Sequence, residues 1–206
     1  QTKGDNSMLV TPQRFNPPIS SVFPQLGNLS ILQQFALAIV GTLFLTISAK
    51  VQVPIWPVKV SMQTSALVLI GILYGPRLGI ATVFLYMLEG ISGFPVFQGT
   101  PDRGLGISYM MGPTGGYLLG FFALTYFMGV FFEKGYGSKL TKALPAVFVA
   151  FCSLYVPGVA WLSYLIGVEK GLHLGLYVFL PSAFLQMGLC ATLWLMFSRK
   201  CCKVEN

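Results

Sequence analysis

Several polar side chains interrupt the long apolar stretches of this sequence, and they are the groups that could bind a small polar molecule. Polar residues within membrane segments are costly unless they are paired, so they are functional candidates by default. Amides and hydroxyls donate and accept hydrogen bonds without charge, and a guanidinium can hold a carboxylate. The predicted binding set is Gln63, Thr64, Gln98, Arg103, Tyr117, Tyr155, Trp161 and Gln186.

Aromatic residues and a glycine-rich turn accompany this set. Trp56, Phe97, Tyr109 and Trp161 could form apolar walls, although aromatic residues also gather at membrane–water interfaces. The run GPTGG (residues 112–116) precedes an apolar stretch. The free N–H groups of a helix start there could contact an anion, or the glycines could serve close helix packing. The sequence leaves both alternatives open.

Catalytic constellations are missing from the sequence. It contains one histidine, His173, and no paired carboxylates, nucleophile with a base, or Cys/His metal spacing. It also lacks a GxxxxGK[ST] phosphate loop. An enzyme or a purely structural bundle is therefore the weaker hypothesis, and no cofactor or metal is expected.

The elements that must position the polar groups are strongly apolar. Of the 206 residues, 54% are hydrophobic and 9% are charged, whereas a soluble domain carries about 25% charged residues. A transmembrane helix needs roughly 20 apolar residues. The chain therefore has room for about six spans in a lipid bilayer and none for an ATPase domain of its own.

The predicted fold class is an all-α integral membrane protein with six transmembrane helices. Glycine and proline at 75 and 76 separate the second helix from the third, and Pro157 and Pro181 mark a kink and a break. The predicted spans cover residues 29–49, 61–75, 78–88, 117–132, 144–166 and 174–197.

Lysine and arginine residues set the predicted orientation. Six spans place nine of the 13 basic residues on one side and four on the other. Because cytoplasmic loops carry the excess of basic residues, both termini are predicted to be cytoplasmic. The net charge of +7 then needs no nucleic-acid partner. The predicted organisation is a cytoplasmic tail (1–28), a membrane domain (29–198) and a second cytoplasmic tail (199–206).

Two outer segments are unusually apolar for loops. Residues 51–59 and 91–116 combine glycine, proline and aromatic residues with few charges. Irregular backbone at membrane depth is tolerated only where it is buried in protein or lines a cavity. The long Gly/Pro-rich loop between the third and fourth helices is therefore predicted to act as a lid; the alternative is that both segments only cap helix ends.

Small residues repeat along one face of the first helix. Ala38, Thr42 and Thr46 are spaced four residues apart, and Gly41 lies beside them. Small residues allow helices to approach closely in a membrane. The stripe is predicted to dock a partner, although similar stripes occur inside any helix bundle.

A series of ordered motifs resembles the BioY family, the biotin-specific S components of energy-coupling factor (ECF) transporters. The resemblance covers about residues 31–197 in collinear order. The strings that carry it are VPIWPVKVSMQT (53–64), YGPRLG (74–79), GFPVFQGT (93–100), GPTGGYLLGF (112–121), YVPG (155–158) followed by Trp161, and FLP (179–181).

The resemblance implies a multi-pass protein of the bacterial cytoplasmic membrane that captures biotin from outside. It further implies docking through the first helix onto a transmembrane coupling protein, which is joined to two ATPase subunits. Some family members act without dedicated partners, so a partner-independent carrier is the alternative.

The chain departs from the family in its last helix. Family members continue FLP as FLPGDxxK, whereas this chain has Ala183 and Gln186 at the Asp and Lys positions, and Phe151 where the family has an asparagine. Gln186 can form hydrogen bonds without charge, and Ala183 cannot form side-chain hydrogen bonds. Arg103 or Lys59 could bind the biotin carboxylate. A changed cargo, such as lipoate or a biotin precursor, is the alternative.

Overall fold

The structure, a computed structural model, describes residues 30–55, 58–136 and 140–204, so the tail predicted over 1–28 lies outside the described residues. Side chains are described except at residues 54–60, at residue 182 and beyond residue 195. The elements are α1 (Ile31–Lys50), β1 (Gln52–Ile55), β2 (Val58–Ser61), α2 (Gln63–Ile91), α3 (Gly106–Met110), α4 (Gly115–Glu133), α5 (Leu140–Ile166), α6 (Val168–Leu172), a π-helical turn (His173–Tyr177) and α7 (Leu180–Val204).

Helix α1 begins at a capping box. The Ser30 hydroxyl accepts a hydrogen bond from the Gln33 backbone N–H at 3.4 Å, and the Gln33 side chain accepts one from the Ser30 N–H at 3.1 Å. This exchange satisfies two N–H groups that a helix start leaves without partners. The helix then runs to Lys50, close to the predicted span over 29–49.

Helix α2 is folded back on itself at Gly75. This glycine has φ 74° and ψ 179°, a conformation that a side chain would strain, and Pro76 follows it. The Gln63 amide donates to the Tyr86 hydroxyl at 2.9 Å. In a straight helix these residues would lie roughly 34 Å apart, so the arms on either side of Gly75 run antiparallel. The break coincides with the boundary predicted between the second and third spans.

Helix α4 lies between α2 and α5 and packs closely on both because of glycines. A Cβ added at Gly71 would lie 2.6 Å from the Thr125 carbonyl oxygen on α4, and one added at Gly120 would lie 2.6 Å from the Leu154 carbonyl oxygen on α5. Leu124 and Met128 are fully buried at this contact. Close backbone approach of this kind is how helices associate where lipid removes the hydrophobic driving force.

Gly129 provides a test of this packing. An alanine Cβ there would lie 2.6 Å from the Pro76 nitrogen and 2.9 Å from the Gly75 carbonyl carbon. Backbone atoms cannot move aside as a side-chain end can, so we expect Gly129→Ala to lower the free energy of unfolding by roughly 1–3 kcal/mol. Thermal unfolding in detergent measures the effect.

Gly188 in α7 supplies the matched control, because an added Cβ there meets no atom within 4 Å. Gly188→Ala should be neutral or stabilising by up to about 1 kcal/mol, since alanine favours helix over glycine. Equal melting temperatures for the two variants would contradict the assigned packing.

Four helices in the described part of the chain are long and apolar enough to cross a membrane, namely α1, α2, α4 and α5, and a shorter apolar stretch, Ala183–Leu195, lies in α7. Large apolar side chains such as Phe35, Leu43 and Ile47 on α1 are exposed. In water such a surface would be an aggregation hazard, whereas in a bilayer it faces acyl chains. The protein is a multi-pass membrane protein.

Three local features differ from the sequence prediction. β1 and β2 pair in antiparallel fashion, with Gln52 opposite Ser61, as a small addition to the predicted helical fold. The short helix α3 interrupts the predicted lid. The predicted sixth span over 174–197 begins instead as a π-helical turn, and α7 starts at Leu180. Each feature depends on tertiary contacts, which hydropathy does not encode.

Candidate ligand-binding site

A cavity of about 280 Å³ lies beneath the hairpin and the outer loop, which we define as residues 92–105. Helices α2, α4, α5 and α7 form its sides and the outer loop forms its roof. Seven of the eight predicted binding residues line it: Gln63, Thr64, Gln98, Arg103, Tyr117, Tyr155 and Gln186. The described structure thus brings together residues that are up to 123 positions apart in the sequence.

Phe97 closes the roof. Its ring stacks on Tyr109 with centroids 5.0 Å apart and meets Tyr86 edge to face at 5.3 Å. The ring lies directly over Gly90, where a Cβ would collide with it. Phe97 and Tyr109, two of the predicted aromatic walls, both line the cavity, whereas Trp56 lies outside the described residues.

A chain of hydrogen bonds fixes the outer loop from below. The Gln63 amide donates to the Tyr86 hydroxyl, which donates to the Val96 carbonyl oxygen at 2.7 Å. Gln63 is buried, so this bond satisfies part of an amide that would otherwise be costly inside the protein. Its carbonyl oxygen is left available to a ligand in the cavity that Gln63 lines.

Tyr109 fixes the same loop from the side. Its hydroxyl donates to the Gln98 carbonyl oxygen at 2.8 Å. Burial raises the pKa of Tyr109, and the neighbouring Thr114 hydroxyl and Arg103 guanidinium only partly offset that effect. Tyr109 therefore stays neutral and keeps its donor at physiological pH.

Lys50 holds the loop from the end of α1. Its Nζ donates to the Phe97 carbonyl oxygen at 3.1 Å, and to the carbonyl oxygen and the hydroxyl of Thr100 at 2.7 and 2.9 Å. In the sequence, Lys50 stands out only as one of the four basic residues on the predicted outer side. Its positive charge was the signal available in the sequence.

Polar groups of α4, α5 and α7 meet at the sides of the cavity. Gln186 is buried and its amide donates to the Ser61 carbonyl oxygen at 3.2 Å, which links α7 to the end of β2. The Tyr117 hydroxyl donates to the Gly175 carbonyl oxygen at 2.7 Å. The rings of Tyr155 and Tyr117 lie edge to face, with centroids 6.1 Å apart, and both residues line the cavity.

Trp161, the eighth predicted residue, lies beside the cavity and does not line it. Its indole N–H donates to the Gly112 carbonyl oxygen at 3.0 Å. Gly116 packs directly against Pro157 and Trp161, with no room for a Cβ. Trp161 thus positions the start of α4, and the glycines there serve close packing, while Pro113 and Thr114 line the cavity.

Arg103 is the cation of the cavity lining, which contains no aspartate or glutamate among the described residues. It is exposed and lies at the mouth. Gly99, with φ 76°, lets the arginine side chain fold back over the loop, because a Cβ there would lie 2.8 Å from Arg103 Cδ. The cavity therefore offers neutral hydrogen-bonding groups and aromatic walls inside and a positive charge at its mouth.

A second cavity of about 180 Å³ lies between α5 and α7. Tyr155 lines both cavities. Ala183 and Phe151, two of the positions at which the chain departs from the resemblance, line this second cavity and not the first. Its other side chains are apolar or weakly polar, for example Phe148 and Met187.

The small-residue stripe on α1 is used within the chain. Ala38, Gly41 and Thr42 are buried, and a Cβ at Gly41 would lie 2.6 Å from Thr82 Cγ2 on α2. The Thr42 hydroxyl donates to the Glu89 carboxylate at 2.8 Å. Thr46 is half-buried. A partner would therefore have to bind the opposite, exposed face of α1 or displace this packing.

A membrane bundle whose outer loop covers a cavity with aromatic walls, neutral hydrogen-bonding groups and a cation at its mouth defines a membrane-embedded binding protein for a small organic molecule. The crystal structure at 2.1 Å of the S-component for biotin from an ECF-type ABC transporter has the same fold, with a TM-score of 0.67 and 21% identity, over 82% of this chain and 92% of that one. The model of the BioY family matches residues 19–201, and the chain belongs to that family.

Curated relatives agree with this assignment. The chain is 29% identical to "Probable biotin transporter BioY" of Rickettsia prowazekii over 72% of its own length and 75% of the relative. It is 31% identical to the protein of the same name from Pyrococcus horikoshii, over 66% of its own length and 77% of the relative. It is 30% identical to "Biotin transporter BioY2" of Lactococcus lactis, over 76% of its own length and 83% of the relative.

Proposed function

We propose that this protein captures biotin outside the cell and carries it across the bacterial cytoplasmic membrane as the S component of an ECF transporter. It is a transport protein and not an enzyme. The observation that carries the proposal is the convergence of seven predicted polar residues on one covered cavity in a chain of the BioY family.

The chemistry of biotin matches the cavity. Its ureido ring has two N–H donors and a carbonyl acceptor, which suit the side chains of Gln63, Gln186 and Thr64. Its apolar thiophane suits the rings of Phe97 and Tyr155, and its carboxylate suits Arg103 at the mouth. The ureido end would lie inside and the charged end near water, so the carboxylate avoids a desolvation cost.

The proposed topology has six spans with both termini in the cytoplasm. The two arms of α2 count as separate spans, and α1, α4, α5 and α7 supply the others. This arrangement places the outer loop and Lys50 outside, and Arg77 and Lys134 inside, in agreement with the excess of basic residues on cytoplasmic loops. The segment 29–198 is the membrane domain, flanked by the tails 1–28 and 199–206.

The energy for uptake would come from partners. The chain has no phosphate-binding loop, so a transmembrane coupling protein with two ATPase subunits is the proposed source. The exposed apolar face of α1 is the surface available for that contact, since Ala38, Gly41 and Thr42 pack inward. A partner-independent carrier is the alternative to this arrangement.

Isothermal titration with the purified protein in detergent tests the proposed cargo. We expect saturable, one-to-one binding of biotin, and no binding at micromolar biotin would contradict the proposal. Lipoate and desthiobiotin, titrated in parallel, test the alternative of a changed cargo. The relatives named as biotin transporters do not favour that alternative.

A further inference from the structure

We propose that Lys50 is a positioning residue that fastens the outer loop over the cavity and so controls the release of bound ligand. The loop geometry stands by itself; the effect on ligand release rests on the proposed function. The inference assigns a role to the last residue of α1, which does not touch the cavity itself.

The Lys50 ammonium ties the end of α1 to the outer loop, and we call this set of hydrogen bonds the latch. A lysine ammonium has three donors, and here its Nζ reaches three acceptors on the outer loop, at Phe97 and Thr100. Hydrogen bonds from a charged donor are about twice as strong as neutral ones. The bonded segment, 97–100, contains Phe97 and Gln98, which both line the cavity, and Arg103 follows it.

The position of Lys50 favours this role over a role in stability. Its side chain is exposed at the end of α1 and contributes nothing to the buried core. Among the described residues outside the loop, the other side chains that donate hydrogen bonds to it are Tyr86 on α2 and Tyr109 on α3. Lys50 is therefore the described side chain that ties the loop to α1.

Phe97 and Gln98 cover a ligand on this side of the cavity, so movement of the segment would widen the way out toward the mouth at Arg103. Removing the ammonium leaves the loop with its tyrosine bonds but without the tie to α1. The loop should then open more often in the ligand-free protein, and release should accelerate while the groups that touch the ligand stay unchanged. Faster release, with the groups that touch the ligand unchanged, is the signature of such a latch.

Hydrogen–deuterium exchange of the ligand-free protein in nanodiscs tests the latch without biotin. We expect Lys50→Met to raise the exchange rate of peptides covering residues 95–104 several-fold, and Lys50→Arg to restore most of the protection. The matched control is Lys170→Met, which removes an exposed lysine in α6. It should leave exchange in the loop unchanged.

Release of labelled biotin is the second readout. We expect dissociation from Lys50→Met to be about tenfold faster, on the scale of a lost charged hydrogen bond, with a melting temperature close to that of the unsubstituted protein. If Lys50→Met does not fold, Thr100→Val removes one of the three acceptors, together with the bond that the Thr100 hydroxyl donates to the Phe97 carbonyl oxygen at 2.7 Å, and should still increase loop exchange. That variant keeps the backbone acceptors of Phe97 and Thr100.

Unchanged loop exchange in Lys50→Met would overturn the inference, as would faster exchange spread over the whole chain. If Thr100→Val is the variant measured, unchanged exchange there would overturn it as well. If the unsubstituted protein binds no biotin, the proposed cargo fails, and loop exchange still decides whether the latch exists.

Discussion

Replacing Arg103 with glutamine should weaken biotin binding about tenfold. Its guanidinium is the cation among the described residues that line the cavity, and no carboxylate in that lining competes for it. A hydrogen bond to a charged group contributes roughly 1.5–3 kcal/mol, and the exposed position of Arg103 keeps the expected effect at the low end of this range. Titration calorimetry of the two proteins measures the difference.

A neutral ligand shows whether Arg103→Gln acts through the charge of the ligand or through a change in the shape of the cavity. Biotin methyl ester lacks the carboxylate, so it should bind the unsubstituted protein and Arg103→Gln with similar affinity. Lys170→Gln, which removes an exposed cation that does not line the cavity, should leave biotin affinity unchanged. Equal biotin affinities for Arg103→Gln and the unsubstituted protein would show that another group holds the carboxylate.

The polar residues of the site were predictable because membrane burial makes them conspicuous. Gln63 and Gln186 interrupt apolar segments, and the cost of an unpaired amide there is a physical reason to expect a partner or a ligand. The structure gives each amide one bond and leaves each facing the cavity. For these residues, hydropathy was sufficient to predict a position at the cavity, and their role in binding stays a prediction.

The roles of other residues depend on which helices and loops pack together, and this could not be predicted from the sequence. In the sequence, Trp161 cannot be distinguished from an aromatic residue that lines the cavity. In the structure its indole N–H donates to the Gly112 carbonyl oxygen, and the residue does not line the cavity. The stripe containing Gly41 predicted close helix approach, and that approach is to α2 of the same chain. Lys50 gave no signal beyond its charge, because its acceptors are backbone carbonyls of a distant loop.

The ends of helices were predictable from the sequence where glycine or proline determines the backbone conformation. Gly75 and Pro76 end one arm of α2 because glycine adopts positive φ and proline cannot continue a helix from the preceding turn. By contrast, Pro145 and Pro157 lie inside α5, where proline often breaks a helix. Neighbouring helices can compensate such breaks in a membrane bundle. The presence of Pro157 in the sequence was therefore not enough to predict whether the helix breaks there.

Ala183→Asp should destabilise the protein strongly, although an aspartate is what the family resemblance expects at this position. Ala183 is 4% exposed and lines the second cavity, among side chains such as Phe148, Phe151 and Met187. A carboxylate there would lose its hydration without gaining a partner. We expect a loss of about 3 kcal/mol or more, which lowers the melting temperature by roughly 10 °C.

Ala183→Leu separates the charge from the added volume, since leucine and aspartate have similar branched shapes. The second cavity measures about 180 Å³, so the leucine should fit with little change in melting temperature. Equal stability of the Asp and Leu variants would mean that α7 can turn this position toward water or a polar partner. The expected difference would instead show that Ala183 and Phe151 together keep an apolar compartment behind Tyr155, so that a ligand finds its polar contacts at Gln63 and Gln186.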